Sequence, residues 1–267
     1  MTKNTICISF NFGPFFWDSG VAALNDTSSG SAITSELKHL LIQVHGFLLI
    51  FGYFLCLSLG SACARYLRRF SPGQKIQGHR IWFILHRTIN WMGMGLIAAG
   101  MLAILIAYNF EWKGPKPGGS KNTSSGAFHS LFGAISVVLA VGQPISLLFK
   151  CAPDDKRRRP WFNVIHRYVG VSSWITAAIA LGIAAKNFRK RISDTEAAFN
   201  ICIIFFVSIL ILFAIGECIK KTVEKAAEQR KNKLASENQT RLFQIICAFS
   251  VFSAAISAYL SILIFRT

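Results

Sequence analysis

Four histidines stand inside apolar runs, each at nearly the same distance from a charged edge. His45 is 7 residues beyond Lys38, His86 is 6 beyond Arg80, His129 is 8 beyond Lys121 and His166 is 7 beyond Arg159. An ionisable side chain at membrane depth is costly and marks function by default. One alone would read as a packed core residue, but four in four consecutive runs call for a shared cause. With successive runs crossing in opposite directions, His45 and His129 share one level and His86 and His166 another. At about 1.5 Å of rise per residue each pair lies roughly 10 Å inside its boundary, so the two levels are expected roughly 10 Å apart in a core of about 30 Å. His39 and His79, beside charges at the run edges, read as interfacial.

Two imidazoles per level suit an ion whose other four ligands come from a flat macrocycle. A closed zinc site would need four protein ligands at one point, and no Cys, Asp or Glu joins either pair within the runs. A haem iron fits: the porphyrin supplies four nitrogens, the histidines fill both axial positions, and no position stays open for oxygen. Gly52 and Gly93, seven residues after His45 and His86, and Gly133 and Gly170, four after His129 and His166, would leave low surfaces against such a ring. Membrane helices also use glycine for packing. The second and fourth runs open alike, as "WFILHR" from Trp82 and "WFNVIHR" from Trp161. Their tryptophans suit an interfacial belt. Arg87 and Arg167, one residue beyond His86 and His166, either pair with haem propionates through forked hydrogen bonds or snorkel to the nearby face.

The positioning elements follow from composition: 52% of the 267 residues are apolar and 15% charged. Six runs, approximately Leu40–Ala64, Ile81–Tyr108, Ala127–Phe149, Phe162–Ala185, Ala197–Ile219 and Leu242–Phe265, each cover the roughly 20 helical residues that a bilayer requires. They lack the alternating polarity of a closed barrel, so the fold class is all-α, a six-helix transmembrane bundle. The net charge of +17 is one-sided and argues for topology rather than for nucleic acid. The side reached after the first, third and fifth runs holds six, six and seven basic residues, counting Arg87 and Arg167 just inside the second and fourth runs, nineteen of 29. The positive-inside rule then makes that side cytosolic and puts both termini on the extracytoplasmic side, with Lys186, Arg189, Lys190 and Arg191 opposing. Sequons at Asn25 and Asn122 fall outside and one at Asn238 inside. The seven cysteines offer no disulfide framework: Cys56, Cys63, Cys202 and Cys247 lie in runs, Cys151 and Cys218 beside them, and Cys7 alone. Residues 1–38 read as an extracytoplasmic segment or linker and 39–267 as the transmembrane domain.

The stretches "QVHGFLLIFGYF", "GSACARYLRRF", "WFILHR", "AFHSLFGAISVVLAVGQPI" and "RRRPWFNVIHRYVG" together resemble the cytochrome b561 family, within it the ferric-chelate reductase 1 group, whose core follows reeler and DOMON domains. The resemblance spans approximately residues 40–265. It implies that His45, His86, His129 and His166 bind two haem b groups per chain. It also implies that electrons pass from a cytosolic ascorbate-like donor to an outer acceptor such as a ferric chelate. Thirty-eight residues are too few for those preceding domains, so a shortened form or a fragment is expected.

Ascorbate and ferric chelates are anions, which gives basic loops a steering role. Arg68, Arg69, Lys75, His79 and Arg80 are the candidates on the cytosolic face, and Lys113, Lys116 and Lys121 on the outer one, set against plain solvated charge. No catalytic residue is assigned, and a homodimer is compatible with the pattern. Two alternatives stand beside the electron conduit. One is a haem-free multi-pass transporter or receptor using its intramembrane histidines, although Glu217 is the only acid near a helix interior. The other is a haem-bearing subunit that passes electrons to a partner protein.

Overall fold

The computed structural model describes residues 33–69, 75–76, 78–146, 158–228 and 232–267, and residues 34–267 form one compact unit. Among the described residues six helices are long and apolar enough to cross a membrane: Ser35–Tyr66, Ile81–Ala107, Ser125–Ile145, Arg158–Asn187, Thr195–Ala226 and Glu237–Phe265, here spans 1 to 6. The chain is a multi-pass, all-helical membrane protein. Spans 1, 4, 5 and 6 overrun their apolar runs, while span 2 ends one residue inside its run and span 3 stops at Ile145. The described residues of the stretch "KKTVEKAAEQRKNKLASENQ" belong to the ends of the two helices Thr195–Glu228 and Asn232–Phe265.

Local chemistry sets the ends. Thr34 caps span 1 by accepting from the Leu37 N–H at 3.3 Å, with Glu36 in the first turn complementing the helix dipole. Span 1 contains a π-helical stretch, Phe51–Leu57, where the Ser58 hydroxyl donates to the Tyr53 carbonyl five residues back at 2.9 Å. Such widened turns concentrate at functional positions. Between spans 1 and 2 two short strands, Lys75–Ile76 and His79–Arg80, pair antiparallel around Gly78, whose φ of +78° suits a residue without a side chain.

Packing divides the bundle. Spans 1 and 2, 3 and 4, and 5 and 6 form three tight antiparallel hairpins; span 6 also packs on span 1, and span 5 on span 4. Lipid is as apolar as leucine, so close packing and buried hydrogen bonds hold such helices together. Gly52, Gly93 and Gly100 let spans 1 and 2 approach closely: a Cβ at Gly93 would lie 2.8 Å from the Cβ of Cys56. Fully buried Phe54 of span 1 stacks on Phe205 of span 5, ring centroids 4.0 Å apart, and Phe205 contacts Phe249 of span 6. The Trp174 indole of span 4 donates to the Ser58 hydroxyl at 3.0 Å, and Ser253 of span 6 donates to the Phe54 carbonyl at 2.7 Å. Trp174→Phe keeps the ring and removes that first bond. We expect a loss of about 1 kcal/mol, read as a lowered unfolding midpoint in detergent. Between hairpin 1–2 and hairpin 3–4 lies a seam where the backbones make few close approaches.

The described cysteines, Cys56, Cys63, Cys202, Cys218 and Cys247, are free thiols, and Cys7 and Cys151 lie outside the described residues.

Candidate functional site

The seam holds the four intramembrane histidines, reaching across it in two pairs. His45 of span 1 faces His129 of span 3 with ring centroids 6.3 Å apart, and His86 of span 2 faces His166 of span 4 at 6.4 Å. A single ion between two imidazoles, with bonds of roughly 2 Å and each centroid roughly 1.2 Å behind its nitrogen, puts the centroids roughly 6.4 Å apart.

Each ring is held by the other helix of its own hairpin. The His45 Nδ1 lies 2.9 Å from the Gly100 carbonyl, and the His86 Nδ1 lies 2.9 Å from the Gly60 carbonyl. The His129 Nδ1 lies 2.9 Å from the Ala180 carbonyl. The His166 Nδ1 lies 2.7 Å from the side-chain amide of Gln143. A carbonyl only accepts, so the three carbonyl bonds place the proton on Nδ1 of His45, His86 and His129 and leave Nε2 with its lone pair.

The two levels are farther apart than the charged edges suggested. The His45 level is marked on span 2 by Gly100, fourteen residues beyond His86, or about 21 Å at 1.5 Å per residue. The expected 10 Å is about half of this. The spans run 27 to 32 residues where the pairs stand, apart from the shorter span 3, so edges defined by charge lie outside the hydrocarbon and each pair sits nearer its own face.

The glycine expectation holds in part. A Cβ built on Gly133 would meet nothing within 4 Å, and one on Gly170 only the Gln143 side chain at 3.8 Å. Gly52 and Gly93 instead serve the contact between spans 1 and 2. The residues nonetheless fit a haem. The donor set is two imidazoles per level, and among the described residues no three His, Cys, Asp or Glu side chains converge. Trp82, one turn before His86, buries an indole N–H with no acceptor, where a carboxylate-bearing group would satisfy it.

Arg87 and Arg167 are both exposed, and the Arg87 guanidinium lies 5.6 Å from the Phe83 ring centroid. In the loop after span 1, Arg68 is exposed and lies 5.7 Å from the Trp82 ring centroid. Lys75, His79 and Arg80 are exposed on the small hairpin, while the side chain of Arg69 lies outside the described residues. At the same face Arg65 donates to Glu217 at 2.7 Å, tying span 1 to span 5.

On the opposite face Lys113 and Lys116 both pair with Glu111, at 2.5 and 3.2 Å, and Lys121 is exposed. Hydrogen bonds from these two lysines hold the Glu111 carboxyl below its usual value of 4.5. A group depressed in the folded state stabilises the loop above its unfolded pKa and loses that effect as pH falls through its folded value. We expect amide protection in the loop 111–122, taken relative to intrinsic exchange at each pH, to fall only as pH drops below about 4.5, a change that Glu111→Gln mimics at neutral pH. Asn122, of the sequon in this loop, is clamped to the Lys116 backbone by two bonds, at 2.8 and 2.6 Å.

The profile of eukaryotic cytochrome b561 matches residues 44–190, the stretch that carries all four histidines. The chain belongs to the eukaryotic cytochrome b561 family. Among its relatives are a putative ferric-chelate reductase 1 homolog of Drosophila melanogaster, 30% identical over 61% of this chain and 22% of its own length, and a putative ferric-chelate reductase 1 of Danio rerio, 28% identical over 70% and 30%. Ferric-chelate reductase 1 of Homo sapiens is 27% identical over 58% of this chain and 24% of its own. The chain thus spans less than a third of the length of these relatives. No solved structure matches. Membership supports a transmembrane oxidoreductase of the haem b type.

Sequence reading missed the groups that orient the rings: Gly60, Gly100, Ala180, Asn90 and Gln143. A signal for them exists. In a tight antiparallel hairpin one contact fixes the register, and pairing residue 45 with 100 brings 86 to within one residue of 60.

Proposed function

We propose that the chain carries electrons across the membrane through two haem b groups, one ligated by His45 and His129, the other by His86 and His166. The donor is a cytosolic ascorbate-like anion, and the acceptor is an outer ferric chelate. The reading rests on one observation above all: two imidazole pairs at the separation of an axially ligated iron, stacked along the membrane normal. When bound, each haem supplies a one-electron ferric/ferrous couple. Everything else belongs to the chain. Gly100, Gly60 and Ala180 fix the tautomer that leaves Nε2 free, and the hairpins hold the rings apart before any iron is bound. Apolar walls exclude water from the seam, which lowers the reorganisation needed at each transfer. The basic segment 65–80 is assigned to the cytosol, where Arg68, Lys75, His79 and Arg80 concentrate an anionic donor. The outer lysines do the same for the chelate, with Lys113 and Lys116 shared with Glu111.

The test is spectroscopic. Purified after haem-replete expression, the chain should show a reduced b-type spectrum and two haems per polypeptide. In vesicles that enclose ascorbate it should reduce an external ferric chelate. A chain without a Soret band would end this reading in favour of a haem-free transporter or receptor. Two haems reduced by ascorbate without chelate reduction would point to a subunit serving a partner protein.

A further inference from the structure

Three of the four rings rest on main-chain carbonyls, and the fourth does not. The register within hairpin 3–4 puts residue 180 opposite residue 129 and, by the same count, residue 143 opposite residue 166. At that fourth position the side chain of Gln143 stands where a carbonyl stands elsewhere. Gly170 lies one turn beyond His166, and a Cβ built there would stand 3.8 Å from the Gln143 amide, an ordinary contact.

A carbonyl can only accept, but an amide has two ends. With its nitrogen toward the ring, Gln143 donates to the His166 Nδ1 at 2.7 Å and to the His166 carbonyl at 3.2 Å, and its oxygen accepts from the Gly170 N–H at 3.0 Å. That arrangement satisfies every polar atom of the amide but puts the ring proton on Nε2, where it blocks a metal bond. With the oxygen toward the ring, Nδ1–H donates to the amide and Nε2 keeps its lone pair. A half-turn of the terminal amide exchanges the two.

We infer that Gln143 is a positioning residue for the inner haem, whose amide turns its oxygen to His166 when iron binds and thereby sets the ligand's tautomer and basicity. The inference depends on the haem reading above. The other inner ring also touches a side-chain amide, with the Asn90 Nδ2 2.9 Å from the His86 Nδ1. That ring keeps the Gly60 carbonyl as a fixed acceptor, so His166 is the ligand most dependent on a rotatable group.

An acceptor on Nδ1–H makes imidazole a stronger donor to iron and favours the ferric state. Gln143→Leu removes the acceptor at similar volume. It should raise the reduction potential of the inner haem, weaken that haem's retention about 10–100-fold and leave the outer haem unmoved. Gln143→Glu keeps an acceptor oxygen and should return the inner potential to the wild-type value or below it. The two haems are assigned by the one missing in His86→Ala, and the outer haem's spectrum reports a folded chain in every variant. An inner potential unchanged in Gln143→Leu, a shift shared by both haems, or an upward shift in Gln143→Glu like that in Gln143→Leu would each overturn the inference. A wild-type chain that binds no haem would instead overturn the underlying reading.

Discussion

Changing His86 to alanine should leave a protein with one haem, its outer spectrum intact, and transmembrane electron flow lost. The ring is an iron ligand in our reading, so the effect should exceed the roughly 100-fold that removal of a supporting group costs. His166→Ala should give the same phenotype, because the two rings face each other across one seam level. His45→Ala and His129→Ala should produce the converse, an inner haem that ascorbate still reduces but that cannot discharge outward. Pyridine haemochrome stoichiometry and a redox titration of the four variants separate the cases. Loss of both haems from any single change would count against the pairing.

Gly100→Val should strike the same outer level without touching a ligand. A Cβ there would lie 2.3 Å from the Leu49 Cδ2, 3.1 Å from the Leu48 Cβ and 3.3 Å from the His45 carbonyl, so span 1 has to retreat. Overpacking of this kind costs about 1–3 kcal/mol. The retreat also carries the Gly100 carbonyl away from the His45 Nδ1, loosening the tautomer lock. We expect outer haem affinity to fall about 10–100-fold, together with a lower melting midpoint in detergent. Gly95→Val, where a Cβ meets nothing within 4 Å, is the control and should leave both haems in place. Equal outcomes for the two substitutions would mean that helix propensity, not close approach, governs position 100.

The fold was legible because a bilayer imposes a simple demand: each crossing needs an apolar run, and six such runs are present. The histidine pairing was legible because alternating direction and equal depth follow from counting. What counting could not provide was distance. Charged residues such as Arg80 and Arg159 mark where water begins and not where hydrocarbon begins, and the separation of the two levels came out short. The roles of Gly52 and Gly93 were also misread, since spacing along one helix does not say whether a flat ring or a neighbouring helix meets that face. The π-helical stretch at Phe51–Leu57 has no counterpart in composition, because it depends on a bond from Ser58 and on packing against spans 2 and 6. Gln143 gives no signal of its own, because a neutral amide inside the apolar run Ala127–Phe149 does not say which neighbouring side chain it faces.

Every imidazole takes its orienting bond from within its own hairpin, and the two hairpins meet mainly across the seam. A nascent chain leaving the translocon can therefore prepare half of each iron site before the other half has been made. Prosthetic groups would then act as rivets joining two finished leaves, and the cell's porphyrin supply would decide how many copies survive quality control.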